Sequence, residues 1–235
     1  MDTQIKSTSV NGEPSPLVGT ARIAGIWYLI LGISGILGFI VFHPQIFVSG
    51  KAEETLTNII TLETTARIRL LLEFAIVVSQ ALVAVWFYRL FKNDNEWAAW
   101  TLGIWGMINS VAIMISAISM ASAISIAHSS TPTMEDKILL IQIFQNIIFN
   151  AWGVGGLFFG LWLFPMGYIV IKSKRMPVWL GRLILIGGFG YLLNTIINYS
   201  GVDFSHSRLL VLPATIGEFW MIGYLLIYGI RPLDD

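Results

Sequence analysis

Residues 20–42, TARIAGIWYLILGISGILGFIVF, form the stretch that decides the fold. Arg22 is the only charged side chain in this stretch, and no proline interrupts it. An α-helix rises about 1.5 Å per residue, so a run of this length crosses a hydrocarbon core of about 30 Å. The stretch therefore predicts a transmembrane helix rather than a helix of a soluble core.

Similar stretches recur along the chain, each about 20 residues long or longer. The predicted spans are residues 20–42, 66–91, 97–127, 138–171, 179–199 and 209–230. They predict an all-α integral membrane bundle of about six transmembrane helices, forming a single domain over residues 20–231. We expect polar tails outside it, a disordered one at 1–19 and a short one at 232–235, and a short surface helix within 51–65.

The composition excludes several classes of protein. Hydrophobic residues make up 55% of the chain and charged residues only 12%, about half the charged share of a typical soluble domain. The net charge is zero, so no nucleic-acid partner is indicated. Cysteine is absent, which excludes disulfides, thiolate metal sites and a cysteine nucleophile.

Lysine and arginine predict the orientation of the bundle. With the N-terminus inside, the inner loops and helix ends hold nine of these residues: Lys6, Arg22, Arg89, Lys92, Lys172, Lys174, Arg175, Arg182 and Arg231. The outer side holds five: Lys51, Arg67, Arg69, Lys137 and Arg208. The excess predicts that both termini are cytoplasmic. Aromatic belts are expected at Trp27–Tyr28, Trp86–Tyr88, Trp97 and Trp179.

Charged side chains inside the predicted spans require a partner, water or a function, because burying a charge in lipid is costly. Glu63 and Arg67 are four residues apart, as are Arg69 and Glu73, so each pair lies on one helix face. Glu218 lies deep in the sixth span, and Glu73 lies at a similar depth in the second. Buried ion pairs would fix helix packing, whereas exposed carboxylates would line a site.

Neutral polar residues form stripes at helical spacing in three spans. They are Ser116, Ser119, Ser122 and Ser125 in the third, Gln142, Gln145, Asn146 and Asn150 in the fourth, and Tyr191, Asn194, Thr195, Asn198 and Tyr199 in the fifth. They fall toward the predicted outer halves of their helices. The stripes predict either interhelical hydrogen bonds or a water-filled vestibule open to the outside, floored near Glu73 and Glu218.

Metal and catalytic chemistry receive little support. His128, Asp203 and His206 are weak candidates for a metal site, because they lack tight ligand spacing. No HExxH, GxSxG or phosphate-binding loop is present, so we expect no cofactor and favour a non-enzymatic role. Intramembrane hydrolases assemble their residues only on folding, so an enzyme acting on lipid stays open as a third hypothesis.

Several short motifs occur in a consistent order: RIAGIWYL at 22–29, ETTAR at 63–67, YRL at 88–90, GGFGY at 187–191 and LPATIGE at 212–218. Together they resemble the family of bacterial membrane proteins known as domain of unknown function 4386. The resemblance covers nearly the whole chain. It implies several membrane spans and a bacterial source, and it implies no activity. We therefore expect a multi-pass protein of the bacterial cytoplasmic (inner) membrane.

Two main hypotheses for function follow from the residues themselves. The first is a small transporter or ligand-binding membrane protein with an outward-facing polar pocket. Its partners would be the bilayer and a small molecule or ion, bound by Glu73, Glu218, Arg67, Arg69, Gln142, Asn146, Asn150, Asn194 and Asn198. The second is a structural or accessory subunit whose intramembrane charges only fix helix packing.

Overall fold

The computed structural model describes residues 16–202, 204 and 206–231. Residues 1–15 of the predicted N-terminal tail and all of 232–235 lie outside this part of the chain, and residues 16–19 already belong to the first helix. The helices are α1 (Pro16–Ile36), α2 (Ala52–Thr61), α3 (Glu63–Phe91), α4 (Glu96–His128), α5 (Met134–Ser173), α6 (Val178–Ser200) and α7 (Leu212–Ile227). A 3₁₀ turn, Ser207–Val211, leads into α7.

In the part of the chain that the structure describes, six helical segments are long and apolar enough to cross a membrane. They cover Leu17–Ile46, Glu63–Phe91, Glu96–His128, Met134–Ser173, Val178–Ser200 and Leu209–Ile227. The prediction of an all-helical bundle with six candidate spans is thus confirmed. The short helix expected within 51–65 is α2.

The first span extends beyond the position where the sequence predicts its end. It was expected to stop before Pro44, but it continues as a widened π-helical segment, Leu37–Phe42, and a final α-helical turn, His43–Ile46. Proline normally clashes with the carbonyl four residues before it in an α-helix. The widened turn directly before Pro44 relieves that clash, so the helix continues.

Three of the helix ends follow from local capping. Asn95 accepts a hydrogen bond from the backbone N–H of Ala98 at 2.9 Å and so caps α4. Thr133 caps α5 in the same way, accepting from the N–H of Asp136 at 3.2 Å. At the C-terminal end of α6, Gly201 adopts a left-handed conformation with φ 75°, which favours glycine.

The six long helices form a closed ring. Each packs mainly against the helix before it and the helix after it, and α7 closes the ring by packing against α1. Short loops at 92–95, 129–133 and 174–177 join consecutive helices, so these neighbours run antiparallel. A ring of this kind has an interior to which every spanning helix contributes.

Two apolar clusters hold the ring together at its opposite ends. One cluster includes Phe87, Trp162 and Leu180 and reaches what we call the terminal end, the end that contains Leu17 and Ile230. The other lies at what we call the α2 end, where α2 covers the helices, and includes Ile59, Met120 and Ile148. The second cluster draws no residue from α6 or α7. These two helices are therefore packed mainly toward the terminal end.

Helix α2 is tied to the end of the first span. Its Leu56 and Ile59 side chains are buried against the α2-end cluster. The hydroxyl of Thr55 accepts a hydrogen bond from the N–H of Val48 at 3.0 Å. The side-chain amide of Asn58 donates to the carbonyl of Ile46 at 3.3 Å. These bonds hold α2 across the opening of the ring.

A buried ion pair links three segments at the terminal end. Arg175, in the loop after α5, lies 3.1 Å from the carboxylate of Asp94, in the loop before α4, and the two side chains are 7% and 5% exposed. The backbone N–H of Arg231 donates to the carbonyl of Arg175 at 3.1 Å. Arg175 is one of the positive charges counted on the predicted inner side. Its buried side chain joins two loops, and its carbonyl binds the last described residue.

Candidate functional site

Arg69 and Glu73 form a buried ion pair on one face of α3. The guanidinium Nη1 lies 2.9 Å from the carboxylate Oε2, and each side chain is only 1% exposed. The spacing of four residues predicted this contact. The neighbouring helices complete the environment of the pair.

Glu73 joins α3 to α4 and α5. Its Oε1 accepts a short hydrogen bond from the hydroxyl of Ser116 on α4. The same oxygen accepts from the indole N–H of Trp152 on α5 at 3.0 Å. The carboxylate is thus surrounded by donors from three helices, as a buried charge requires.

Arg69 contacts the end of the first span. Its Nε donates to Nδ1 of His43 at 3.2 Å. The guanidinium also lies over the rings of Phe39 and Phe47, at 5.5 and 5.2 Å from their centroids, within the range of cation–π attraction. Its Nη2 is buried and has no hydrogen-bond partner among the described residues. The network therefore holds four segments of the ring in one arrangement.

Arg67 lies on a different face of α3. Its guanidinium pairs with Glu63 at 2.5 Å, and the side chains are 58% and 40% exposed. His128, at the end of α4, lies 3.4 Å from the same carboxylate. Arg67 is thus separated from the buried pair, although it is two residues from Arg69.

A separate cavity of about 270 Å³ lies inside the ring. All six spanning helices contribute to its wall: Tyr28, Leu31, Gly32, Gly35, Ile36, Ile76, Gln80, Asn109, Ile113, Trp152, Gly155, Gly156, Phe159, Tyr191, Thr215, Glu218, Phe219 and Ile222. Most of this lining is apolar or aromatic. A few polar groups stand out against it, as in small-molecule sites generally.

Among the described residues, Glu218 is the only formally charged one in that wall. The hydroxyl of Tyr28 donates to its Oε1 at 2.5 Å. No cationic side chain pairs with Glu218 among the described residues. The carboxyl group therefore differs from that of Glu73, which is neutralised within the protein.

Gln80 is the least satisfied polar group of the cavity wall. It is fully buried, at 0% exposure, yet neither its amide nitrogen nor its amide oxygen has a hydrogen-bond partner in the described structure. Asn109, 3% exposed, lies in the same wall on α4. An unpaired buried amide costs about 1–3 kcal/mol. The cavity thus contains groups that a ligand's hydrogen bonds would satisfy.

The seam between α1 and α7 widens toward the cavity. A Cβ added at Gly25 would lie 3.0 Å from the Cβ of Leu225, whereas at Gly32 the nearest atom, on Ile222, would be 3.7 Å away. At Gly35 nothing lies within 4 Å. Two wall residues beside this gap, Ile36 and Phe219, are 41% and 44% exposed. The loosely packed part of the seam between α1 and α7 therefore adjoins the cavity.

The family described as "Domain of unknown function (DUF4386)" matches residues 23–229. The chain belongs to this family. The match spans most of the chain and confirms the resemblance carried by the short motifs. An uncharacterized protein of Archaeoglobus fulgidus is 35% identical over 69 residues, which are 29% of this chain and 43% of that protein. The chain thus matches less than half the length of that relative, and no solved structure matches.

In this DUF4386 protein, the remaining residues of the predicted pocket lie outside the cavity wall. Gln142 and Asn146 line a groove of about 1170 Å³ between α2 and α5, which also includes His43 and Phe47. Asn150 is exposed and accepts a hydrogen bond from the hydroxyl of Tyr199 at 3.0 Å. Neither Glu73 nor Glu218 lines that groove.

The two asparagines of α6 lie outside both the groove and the cavity wall. Asn194 has a buried Oδ1 without a partner among the described residues. Asn198 is exposed and accepts from the hydroxyl of Ser207 at 3.5 Å. On α6, Asn194 is thus half-buried and Asn198 makes a surface hydrogen bond, whereas Tyr191 of the same stripe lines the cavity.

The weak metal candidates of this DUF4386 protein do not form a described site. Asp203 lies outside the described residues. His128 contacts Glu63, and His206 is exposed beside Phe204, with ring centroids 6.3 Å apart. Within the described part of the chain, no group of three or more candidate ligands converges.

Sequence reasoning missed Tyr28, Gln80 and Trp152 as site residues. Tyr28 was placed in an interfacial belt, but it is 2% exposed, and its ring packs against Phe87 and Trp162 at 5.6 Å. Gln80 lies seven residues after Glu73, two helical turns along the same face of α3. That spacing is the one signal that would have linked them.

Proposed function

We propose that this membrane protein binds a small, largely apolar ligand in the ring cavity, with Glu218, Gln80 and Asn109 holding its polar group. The observation that carries the proposal is Gln80, whose buried amide lacks partners at the cavity wall. A ligand that donates and accepts hydrogen bonds there would remove the desolvation cost of this amide. This keeps the ligand-binding part of the sequence hypothesis and moves the site from an outward-facing vestibule into the ring.

The size of the cavity supports a small ligand. A cavity of about 150 Å³ lined by apolar side chains accommodates benzene, and this one measures about 270 Å³. It falls near the lower end of the range for small-molecule sites, about 300–1,000 Å³. A molecule of one or two rings, or the head of a longer molecule whose tail stays in the bilayer, fits this space.

The location remains part of the proposal. We place the protein in the cytoplasmic membrane of a bacterium, with both termini inside, because the lysine and arginine bias favours that orientation. Its partners would be the bilayer and the small ligand, and no nucleic acid is included.

A structural or accessory role is a second candidate function, supported by a different observation. The Arg69–Glu73 pair is fully enclosed by Ser116, Trp152 and His43. A buried ion pair enclosed in this way can serve only to fix the packing of the helices, without any ligand. It leaves Glu218 and Gln80 unexplained, so we place it second.

Filling the cavity tests the proposal. Gly35 lines the cavity, and a Cβ added there would meet no atom within 4 Å, so Gly35→Leu is the substitution chosen to add bulk to the cavity. Gly19, on the same helix, also has open space but lies outside the cavity wall, which makes Gly19→Leu a matched control. Wild type and both variants would be purified in one detergent, and their organic extracts compared by mass spectrometry.

We expect a compound that co-purifies with the wild type and Gly19→Leu in near-equimolar amount and is depleted in Gly35→Leu. The same extract from all three folded proteins would contradict binding in the cavity.

A further inference from the structure

The cavity combines an acid with no basic counterpart and a wall without positive charge. Its lining residues include no lysine, arginine or histidine. Glu218 bonds to a neutral phenol, that of Tyr28. Arg69, which is also buried, is already paired with Glu73. A carboxyl group in so apolar a setting is stabilised either by taking up a proton or by a positive partner, and none of the described lining residues supplies that partner.

The remaining wall also suits a cation. Aromatic rings of Trp152, Phe159 and Tyr191 line the cavity, and ring faces attract organic cations. The amide oxygen of Gln80 is unpaired and available to accept a hydrogen bond. Ligands that carry phosphate or carboxylate would meet Glu218 with no basic group to offset the repulsion.

A metal ion fits this wall less well than an organic cation. Hard cations such as Ca²⁺ take about six to eight oxygen ligands. The cavity offers few oxygens and is lined mostly by hydrocarbon. Its apolar volume favours a ligand whose body is itself apolar.

The route of access points in the same direction. The seam between α1 and α7 is closed at Gly25 and open at Gly35. Exposed apolar side chains, Ile36 and Phe219, stand beside it. A molecule that partitions into the bilayer would reach the cavity through this seam without crossing either polar end of the ring.

We propose that the ligand is a lipophilic amine, which enters from the bilayer between α1 and α7 and pairs its ammonium group with Glu218. This inference rests on the proposed function, because it assigns a chemical class to the ligand of the same cavity. Gln80 accepts a second hydrogen bond from the ammonium group, and the aromatic side chains enclose the apolar body.

A matched pair of probes tests the ligand class. 2-Phenylethylamine and 2-phenylethanol have the same number of non-hydrogen atoms and differ only in the polar group. Binding of each would be measured by calorimetric titration in a non-ionic detergent, with Gly35→Leu as the background for partition into micelles. We expect the amine to bind the wild type about tenfold more tightly than the alcohol, a difference of about 1.4 kcal/mol.

Glu218→Gln should abolish that preference, because the amide carries no charge to pair with the ammonium group. A second measurement needs no variant at Glu218: the permanently charged trimethylammonium analogue of the amine should also bind the wild type more tightly than the alcohol. Equal binding of amine and alcohol to the wild type would overturn the ligand class but leave the cavity proposal standing. If neither probe distinguishes the wild type from Gly35→Leu, both proposals fail.

Discussion

Arg67 and Arg69 lie two residues apart on α3 and meet opposite surroundings. Arg69 is 1% exposed and bound to Glu73, whereas Arg67 is 58% exposed and bound to Glu63. Removing one member of a buried pair leaves an uncompensated charge, at a cost of about 3–5 kcal/mol. Exposed pairs contribute little, because water solvates each partner separately.

We therefore expect Arg69→Met to lower the unfolding temperature strongly and Arg67→Met to change it little. Circular dichroism of both variants in the same detergent would measure this. If Arg69→Met lowered the unfolding temperature as little as Arg67→Met, the network around Glu73 would not depend on its cation. The double variant Arg69→Met/Glu73→Met should recover part of the loss, because it removes the unpaired charge.

Asp94, in the loop before α4, lies outside the membrane-spanning segments and makes the stability of the protein depend on pH. Burial raises the pKa of its carboxyl group above the usual 3.8, although the Arg175 guanidinium opposes the shift. A raised pKa means that the folded protein binds this proton more tightly than the unfolded chain. The resulting stabilisation is complete below the usual pKa and is lost as pH rises through the folded-state value.

We expect wild type to lose stability relative to Asp94→Asn as the pH is raised from about 4 toward neutrality. The unfolding temperatures of both proteins, taken at several pH values, give the difference directly. Glu135→Gln, at an exposed position, should run parallel to the wild type. A rising difference in favour of the wild type would mean that the ion pair with Arg175 outweighs burial.

At the scale of the helices, glycines set how closely α5 and α6 approach. A Cβ added at Gly167 would lie 2.7 Å from the backbone oxygen of Gly181 and from Cγ of Leu185. Because one of these atoms is backbone, the helices themselves would have to separate. Gly160 of α5 and Gly188 of α6 form a second close approach. A Cβ added at either glycine would lie 3.1 Å from the backbone oxygen of the other.

Gly167→Ala should destabilise the protein by about 1–3 kcal/mol, the usual cost of overpacking. Gly19→Ala, where nothing lies within 4 Å, should be neutral or stabilising, since alanine favours a helix. Thermal unfolding of the two variants provides the comparison. A neutral Gly167→Ala would show that α5 and α6 can separate without loss.

The helices themselves could be predicted, whereas their neighbours in the ring could not. Long apolar runs reveal each span, and a spacing of four residues revealed both ion pairs on α3. The bond between Tyr28 and Glu218 joins residues 190 positions apart. No local pattern encodes it, because it depends on α7 closing the ring against α1. On α5 and α6 the polar stripes also lie apart, because Gln142 and Asn146 line the groove beside α2 whereas Tyr191 lines the ring cavity.

Orientation belongs to the whole molecule and can be measured in the cysteine-free chain. Lys51 precedes α2 and is 66% exposed, and Lys172 is exposed near the end of α5. With cytoplasmic termini, Lys51→Cys should react with a membrane-impermeant thiol reagent on intact cells. Lys172→Cys should react only after lysis. The reverse pattern would invert the orientation, and the native protein serves as the unlabelled control.

The widened turn at Leu37–Phe42 has a consequence for the rest of the first span. One residue in an α-helix corresponds to a rotation of about 100°. A turn that holds an additional residue therefore offsets the azimuth of everything after it, including His43 and Phe47, which face Arg69 with that offset in place. Deleting a lipid-exposed residue such as Ile40 would restore a regular α-helix and rotate the rings of His43 and Phe47 away from the guanidinium. The aromatic cover of the buried pair thus depends on a single-residue insertion in a helix that carries no charge there.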